Sequence, residues 1–327
     1  MIILNKSIAR QWSRIGPRGI YGQSLLSLAM NNDNIFAISA DLGNSSGLDR
    51  FKLSLPERFL NIGIAEQHMI GFAAGLSSCN FNVFASSFAP FLTLRAGEQV
   101  RMNLSYMRHN VKLVAIGSGI SMGFLGNSHF GLEDISIIRS MPNILIVNPC
   151  DCFEVYKAVE ALSNYNGPAY LRLTGSSPNP IIHTENYQFE LGKAYSLQEG
   201  ADILFLTYGS MCKPTLDATK KILEEKNISS QVYNVHTLRP FDTKLINSLS
   251  KYKIIFVIEE HSSIGGLQTI VAEIIAKNSI KTNIFECISL PNHYLKSGTY
   301  EQLLSYYELT SEKIYTKISL TLEKINN

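Results

Sequence analysis

Short apolar runs recur along the chain, and between them apolar positions return every three or four residues. In the first half the runs are "NIFAISA" (34–40), "VKLVAIG" (111–117), "NILIVNP" (143–149) and "AYLRL" (169–173). In the second half they are "DILFLTY" (202–208), "SQVYNVH" (230–236) and "KIIFVIEE" (253–260). Runs apolar on both faces, separated by crossovers of a dozen or more residues, predict parallel sheets covered by helices. Both halves therefore read as doubly wound α/β domains. Residues 174–192, "TGSSPNPIIHTENYQFELG", lose this periodicity and gather Pro, Ser, Asn and Gly, as a linker does, with the boundary near 180. The expected division is an N-terminal tail (1–12), a first domain (13–175), a linker (176–192) and a second domain (193–327). No tandem repeat is visible, so the halves are alike in architecture only.

A chain of 327 residues, 45% hydrophobic and 17% charged, can bury a core in each of two domains. Lys and Arg number 29 against 27 for Asp and Glu, a net charge of +2 with no basic run, which argues against nucleic acid or lipid head groups as partners. The start, "MIILNKSIARQWSRIGPR", has too short an apolar segment for a signal peptide, and no run reaches membrane-spanning length. The expectation is a soluble, cytoplasmic chain with no membrane partner. Its five cysteines, Cys79, Cys150, Cys152, Cys212 and Cys287, are odd in number and mostly lie in apolar segments, as reduced thiols do. "CDC" at 150–152 could be half of a metal site, but no second Cys/His pair stands at finger spacing, so no metal ligands are assigned.

In an open parallel sheet the ligand crevice lies beyond the carboxyl ends of the strands. Asp41 directly follows "NIFAISA". Glu66 follows "FLNIGI" and opens a helix whose apolar positions Ala65, Met69, Phe72, Ala73 and Leu76 keep helical spacing. "NVFASSF" ends near Phe88 and Phe91, and His129 lies in the Gly-rich loop after "VKLVAIG". Each has an ordinary reading. An acid in a first helical turn complements the dipole, paired Phe residues are usually core, Asp before Leu-Gly can be a turn or cap, and a lone His is more often structural. Their order and spacing set them apart.

That order resembles the transketolase family of thiamine diphosphate enzymes, in its pyrimidine-binding domain followed by its C-terminal domain. The stretches that carry the resemblance are "RGIYGQSLLSLA", "ISADLGNSS", "PERFLNIGIAEQHMIGFAAGLS", "FASSFAPFLTLRAGEQVR", "NSHFGLEDISIIRSMPNILIVNPCD", "LRPFD" and "EEHSSIGGL". The resemblance implies that Glu66 hydrogen-bonds the N1′ atom of the cofactor's aminopyrimidine and favours its imino tautomer, a role that asks for a dry, apolar setting. Phe88 and Phe91 match the positions that pack on the pyrimidine ring. Asp41 and Leu42 belong to an "ADL" motif close to the cofactor. Arg18 matches a phosphate-contacting arginine, Ser45 lies where a serine assists it, and His129 matches a histidine that hydrogen-bonds the sugar near the reacting carbon.

The family's diphosphate-binding domain, with its "GDG" motif for Mg²⁺ and phosphates, has no counterpart in these residues. The resemblance thus implies an N-terminal partner subunit that holds most of the Mg²⁺ and diphosphate site, in an α₂β₂ assembly. The implied reaction is transfer of a two-carbon ketol unit from a ketose donor to an aldose or other carbonyl acceptor. Three positions depart from the pattern: Gly117 where a histidine is usual, Leu125 where a substrate-binding aspartate is usual, and Gly175 in place of a phosphate-binding arginine. Loss of these polar partners raises the hypothesis of an unusual sugar substrate, for example one linked to a nucleotide. Other readings are a deoxyxylulose-phosphate-synthase-like or 2-oxo-acid-type enzyme using pyruvate, and a non-catalytic assembly subunit. "EEHSSIGGLQ" could cradle an anion at a helix N-terminus or be a structural turn.

Overall fold

The computed structural model describes residues 4–174 and 178–326. Its strands are β1 (Ile35–Ser39), β2 (Phe59–Asn61), β3 (Asn82–Phe88), β4 (Val111–Ile116), β5 (Leu145–Val147), β6 (Ala169–Arg172), β7 (Tyr195–Gln198), β8 (Ile203–Thr207), β9 (Ser230–Asn234), β10 (Thr237–Arg239), β11 (Ile254–Ser262) and β12 (Ile284–Leu290). Every apolar run named above contains one of them, except that β11 runs two residues past "KIIFVIEE". The first sheet has the order β10-β5-β6-β4-β3-β1-β2 and the second β12-β11-β8-β9-β7. Within each, all pairs are parallel except the edge pairs β10–β5 and β7–β9. Strands β3, β4 and β6 are buried at every position, as continuous apolar runs require when helices cover both faces.

The two halves are interlocked. Strand β10 comes from the second half of the sequence yet completes the first sheet beside β5. One core joins Ile38, Met69, Ala85 and Leu113 of the first half to Leu204, Leu206 and Val257 of the second. The other face of the first sheet buries Tyr21, Leu25, Phe84, Val114 and Val155.

Helix Lys6–Ala29 begins inside the segment expected as an N-terminal tail. Asn5 caps that helix by accepting from the N–H groups of Ser7 and Ile8. Trp12, 8% exposed, packs with its ring centroid 5.4 Å from that of Tyr156. The helix is interrupted at Gly16, whose φ of +81° only glycine adopts at little cost, and it resumes with Pro17. Among the described residues no helix is long and apolar enough to cross a membrane.

Register places the candidate residues. Ser39 of β1 lies opposite both Asn61 of β2 and Ser86 of β3, and Phe88 of β3 lies opposite Ile116 of β4. The residues that follow these strands therefore share one carboxyl edge.

Candidate active site

Glu66 begins helix Glu66–Ser78 just beyond β2 and is 2% exposed. Its carboxylate does not act as the cap: the capping position is Ala65, which makes no side-chain bond, and Glu66 Oε2 instead accepts from Arg95 Nη1 at 2.9 Å. A buried carboxylate needs such a partner, because removal from water is costly for an isolated charge. Arg95 comes from a π-helical turn, Phe91–Arg95, closed by the Ala96 N–H donating to the Phe91 carbonyl at 3.1 Å. Such turns widen a helix by one residue and recur at functional sites. Here the turn brings the guanidinium over the Phe91 ring, 4.2 Å from its centroid.

Phe88 ends β3, Phe91 follows three residues later, and His129 reaches both from the loop after β4. Ring centroids are 5.7 Å apart for Phe88 and Phe91, 5.3 Å for Phe88 and His129, and 5.2 Å for Phe91 and His129, all edge to face. His129 Nδ1 lies 3.0 Å from Ser128 Oγ. Burial, together with the nearby charge of Arg95, holds the His129 pKa below the ordinary histidine value of 6.5, so the ring is neutral at pH 7. Glu66, Phe88, Phe91 and His129 thus form one group, joined by Arg95.

Asp41 and Leu42 stand one strand away. Asp41 is exposed, with a left-handed φ of +58°. Its N–H donates to Asn61 Oδ1 at 3.0 Å and its Oδ1 accepts from Asn61 Nδ2 at 2.9 Å, latching the end of β1 to the end of β2. Leu42 N–H donates to Ser39 Oγ at 3.0 Å. Arg18 and Ser45 are brought together through the main chain: Arg18 Nη1 donates to the Ser45 carbonyl at 3.2 Å.

Two of the departures have structural consequences. Gly117 has a φ of +67°, and a Cβ there would lie 2.6 Å from Met122 Cγ and 3.1 Å from Phe88 Cδ1. Met122 therefore fills the space a side chain at 117 would enter. Leu125 and its neighbour Phe124 are 50% and 76% exposed, an apolar lip beside His129. Gly175 lies outside the described residues.

Arg95, Asn61 and Met122 are participants that spacing alone did not single out. Arg95 had a signal: a carboxylate predicted to be dry calls for a cation within reach, and Arg95 stands four residues after Phe91.

Residues 14–179 match the transketolase pyrimidine binding domain, and residues 192–314 match the transketolase C-terminal domain. The chain is 36% identical to a putative transketolase C-terminal section from Methanocaldococcus jannaschii, over 94% of this chain and 97% of that protein. It is 32% identical to a subunit of the apulose-4-phosphate transketolase of Phocaeicola vulgatus, over 92% of this chain and 95% of that one. Among solved structures, a split gene transketolase, described as an inactive β4 tetramer, matches with a TM-score of 0.81 and 32% identity, covering 94% of this chain and 98% of that chain.

Proposed function

This chain belongs to the transketolase family, and from that premise we propose that it is the pyrimidine-domain subunit of a two-component, thiamine-diphosphate-dependent transketolase. It transfers a two-carbon ketol unit from a ketose to a carbonyl acceptor, together with a partner chain that carries the diphosphate-binding domain and most of the Mg²⁺ site. The observation that carries the reading is a carboxylate 2% exposed, beside three mutually packed rings, on the carboxyl edge of a parallel sheet. The partner is supported by likeness to relatives described as a C-terminal section and as one subunit of a transketolase, which this chain matches nearly end to end, and an α₂β₂ assembly is proposed with it.

These residues fit an aminopyrimidine. Glu66 offers a dry carboxyl to a ring nitrogen, and Phe88 and Phe91 offer flat apolar faces that fix a ring's tilt. Arg95, whose side chain is 48% exposed, can give way. When bound, thiamine diphosphate supplies the electron sink for carbon–carbon cleavage. Glu66 would hold a proton at the pyrimidine nitrogen, and His129, neutral at pH 7, would accept a proton from a substrate hydroxyl. Asp41 and Leu42 would hold the loop that borders the cofactor, and Arg18 beside Ser45 is available to an anionic group of the sugar.

The apolar lip at Phe124 and Leu125 and the closed space at Gly117 support a donor with fewer polar contacts than an ordinary pentose phosphate. A nucleotide-linked sugar is one such donor, and full-rate turnover of xylulose 5-phosphate would exclude this specialisation.

The test is calorimetric titration of thiamine diphosphate with Mg²⁺ into this chain, alone and then mixed with the partner chain. Binding in the mixture only is the expected result. Absence of binding by two chains that do associate would favour a non-catalytic assembly role.

A further inference from the structure

The segment between the two domains supplies what cysteine spacing lacked. Asp151 caps helix Cys152–Asn164 by accepting from the Glu154 N–H, and its other oxygen accepts from the N–H groups of Ile182 and His183 at 3.0 and 2.8 Å. This brings the His183 imidazole against Cys150. The Cys150 sulfur, a carboxylate oxygen of Asp151 and a ring nitrogen of His183 all lie within 4.8 Å of one another. All three residues are buried, as is Glu154.

The separations decide what this cluster can be. His183 Nε2 is 3.6 Å from Cys150 Sγ and 3.3 Å from Glu154 Oε1. A charge-assisted hydrogen bond between imidazolium and carboxylate closes to about 2.7–2.9 Å, so 3.3 Å is long for one. Tetrahedral zinc, with bonds of about 2.3 Å to sulfur and about 2.0–2.1 Å to nitrogen and oxygen, has an S···N edge of about 3.6 Å and an N···O edge of about 3.3 Å. The His183–Cys150 spacing matches one edge of such a tetrahedron, and Glu154 sits outside the three mutually close donors as a partner of His183.

The surroundings hold the donors in place, as outer partners do around metal ligands. Glu154 accepts from Asn234 Nδ2 at 2.8 and 2.9 Å, from the Cys150 N–H at 2.7 Å and from the Tyr187 hydroxyl. The His183 ring stacks on Tyr187 with centroids 4.4 Å apart. A surface cavity of about 290 Å³ is lined by His183, Tyr187 and Tyr195 among others, on the His183 side of the cluster.

We propose that Cys150, Asp151 and His183, with Glu154 as an outer partner of His183 and the fourth position open to water, form a site for a divalent cation of the zinc class, which fastens the segment between the domains to the first domain. Thiolate, imidazole and carboxylate together suit zinc or cobalt better than magnesium or calcium. Binding displaces two protons, one from the Cys150 thiol and one from the His183–Glu154 pair, and both go to solvent. The net charge of the buried cluster is then unchanged by one divalent cation. The site stands apart from the thiamine reading and does not depend on it.

The experiment is titration of the full chain, reduced and stripped by a chelator, with Co²⁺ alone. One equivalent should produce a thiolate-to-cobalt charge-transfer band with tetrahedral visible bands, and zinc should abolish both one for one. Cys150→Ser should remove the charge-transfer band and His183→Gln should weaken binding at least tenfold, whereas exposed Cys79→Ser should leave both unchanged. X-ray absorption of the wild-type zinc form, which needs no variant to fold, should show one sulfur with an imidazole and oxygens. No band at stoichiometric cobalt, a band that survives Cys150→Ser, or a zinc shell without sulfur would each overturn the proposal.

Discussion

Arg95 engages the carboxylate that the proposed function offers to a cofactor ring, so on that reading its removal should tighten cofactor binding. Replacing it by methionine keeps an apolar stem against Phe91 while deleting the cation. The wild-type chain must give up one 2.9 Å ion pair and one guanidinium–ring contact before the carboxylate is free. An exposed cation–π contact contributes about 0.5–1 kcal/mol. The ion pair would be strong if fully buried, but the Arg95 side chain is 48% exposed, and solvent screening brings it to about 0.5–1 kcal/mol. Together they oppose binding by about 1–2 kcal/mol, and 1.4 kcal/mol is about tenfold in affinity. Arg95→Met should therefore lower the Kd for thiamine diphosphate by about 5- to 30-fold in the reconstituted complex, measured by calorimetry at fixed Mg²⁺. The same variant should make the free chain less stable, since Glu66 is left buried without its partner. Weaker or unchanged cofactor binding would refute the reasoning, and would mean that Arg95 supports the ligand rather than standing in for it.

Glu66→Gln keeps the shape but removes the carboxylate, and turnover should fall at least about 100-fold while the two chains still associate in sedimentation; retained turnover would exclude the assigned role. The His129 ring, followed by NMR in the free chain, should titrate below 6.5 and become protonated only as pH falls through that lowered value; Arg95→Met should move the midpoint upward by deleting the nearby positive charge. Gly117→Ala should lower the urea midpoint, with about 1–2 kcal/mol from the left-handed backbone alone; adding Met122→Ala should relieve the steric part and leave the backbone part. Trp12→Ala should cost about 3 kcal/mol, as expected for a large side chain 8% exposed, whereas a flexible tail would show no change in the denaturation curve.

The central strands were legible because burial on both faces leaves one kind of pattern, an unbroken apolar run such as "VKLVAIG" for β4. The edge strands β7, β10 and β12 were not, although the edge strand β2 was. β10 has three residues and joins the first sheet from the second half of the chain, so no local period marks it. The first helix carries Gly16 and Pro17, residues that interrupt a helical pattern, although the chain continues as helix on both sides. At the site, Glu66, Phe88, Phe91 and His129 could be named because each follows an identifiable strand. Arg95 and Asn61 escaped because their importance lies in a partner: one answers a buried charge 29 residues away and the other a turn 20 residues away.

The departures at 117 and 125 belong together once Met122 is considered. A histidine at 117 would need both a left-handed backbone and the space that Met122 holds. In the loop from 120 to 129 Met122 takes that space, and Gly123 and Gly126 are also at positive φ. A pocket that had merely lost a polar residue would leave a void or an orphaned donor beside it, because closely packed interiors adjust poorly to single deletions. Here the volume is filled, and the next residues outward, Phe124 and Leu125, are apolar and exposed. Filling at one position and exposed apolar surface at the next favour a site shaped for a different sugar over one in decay.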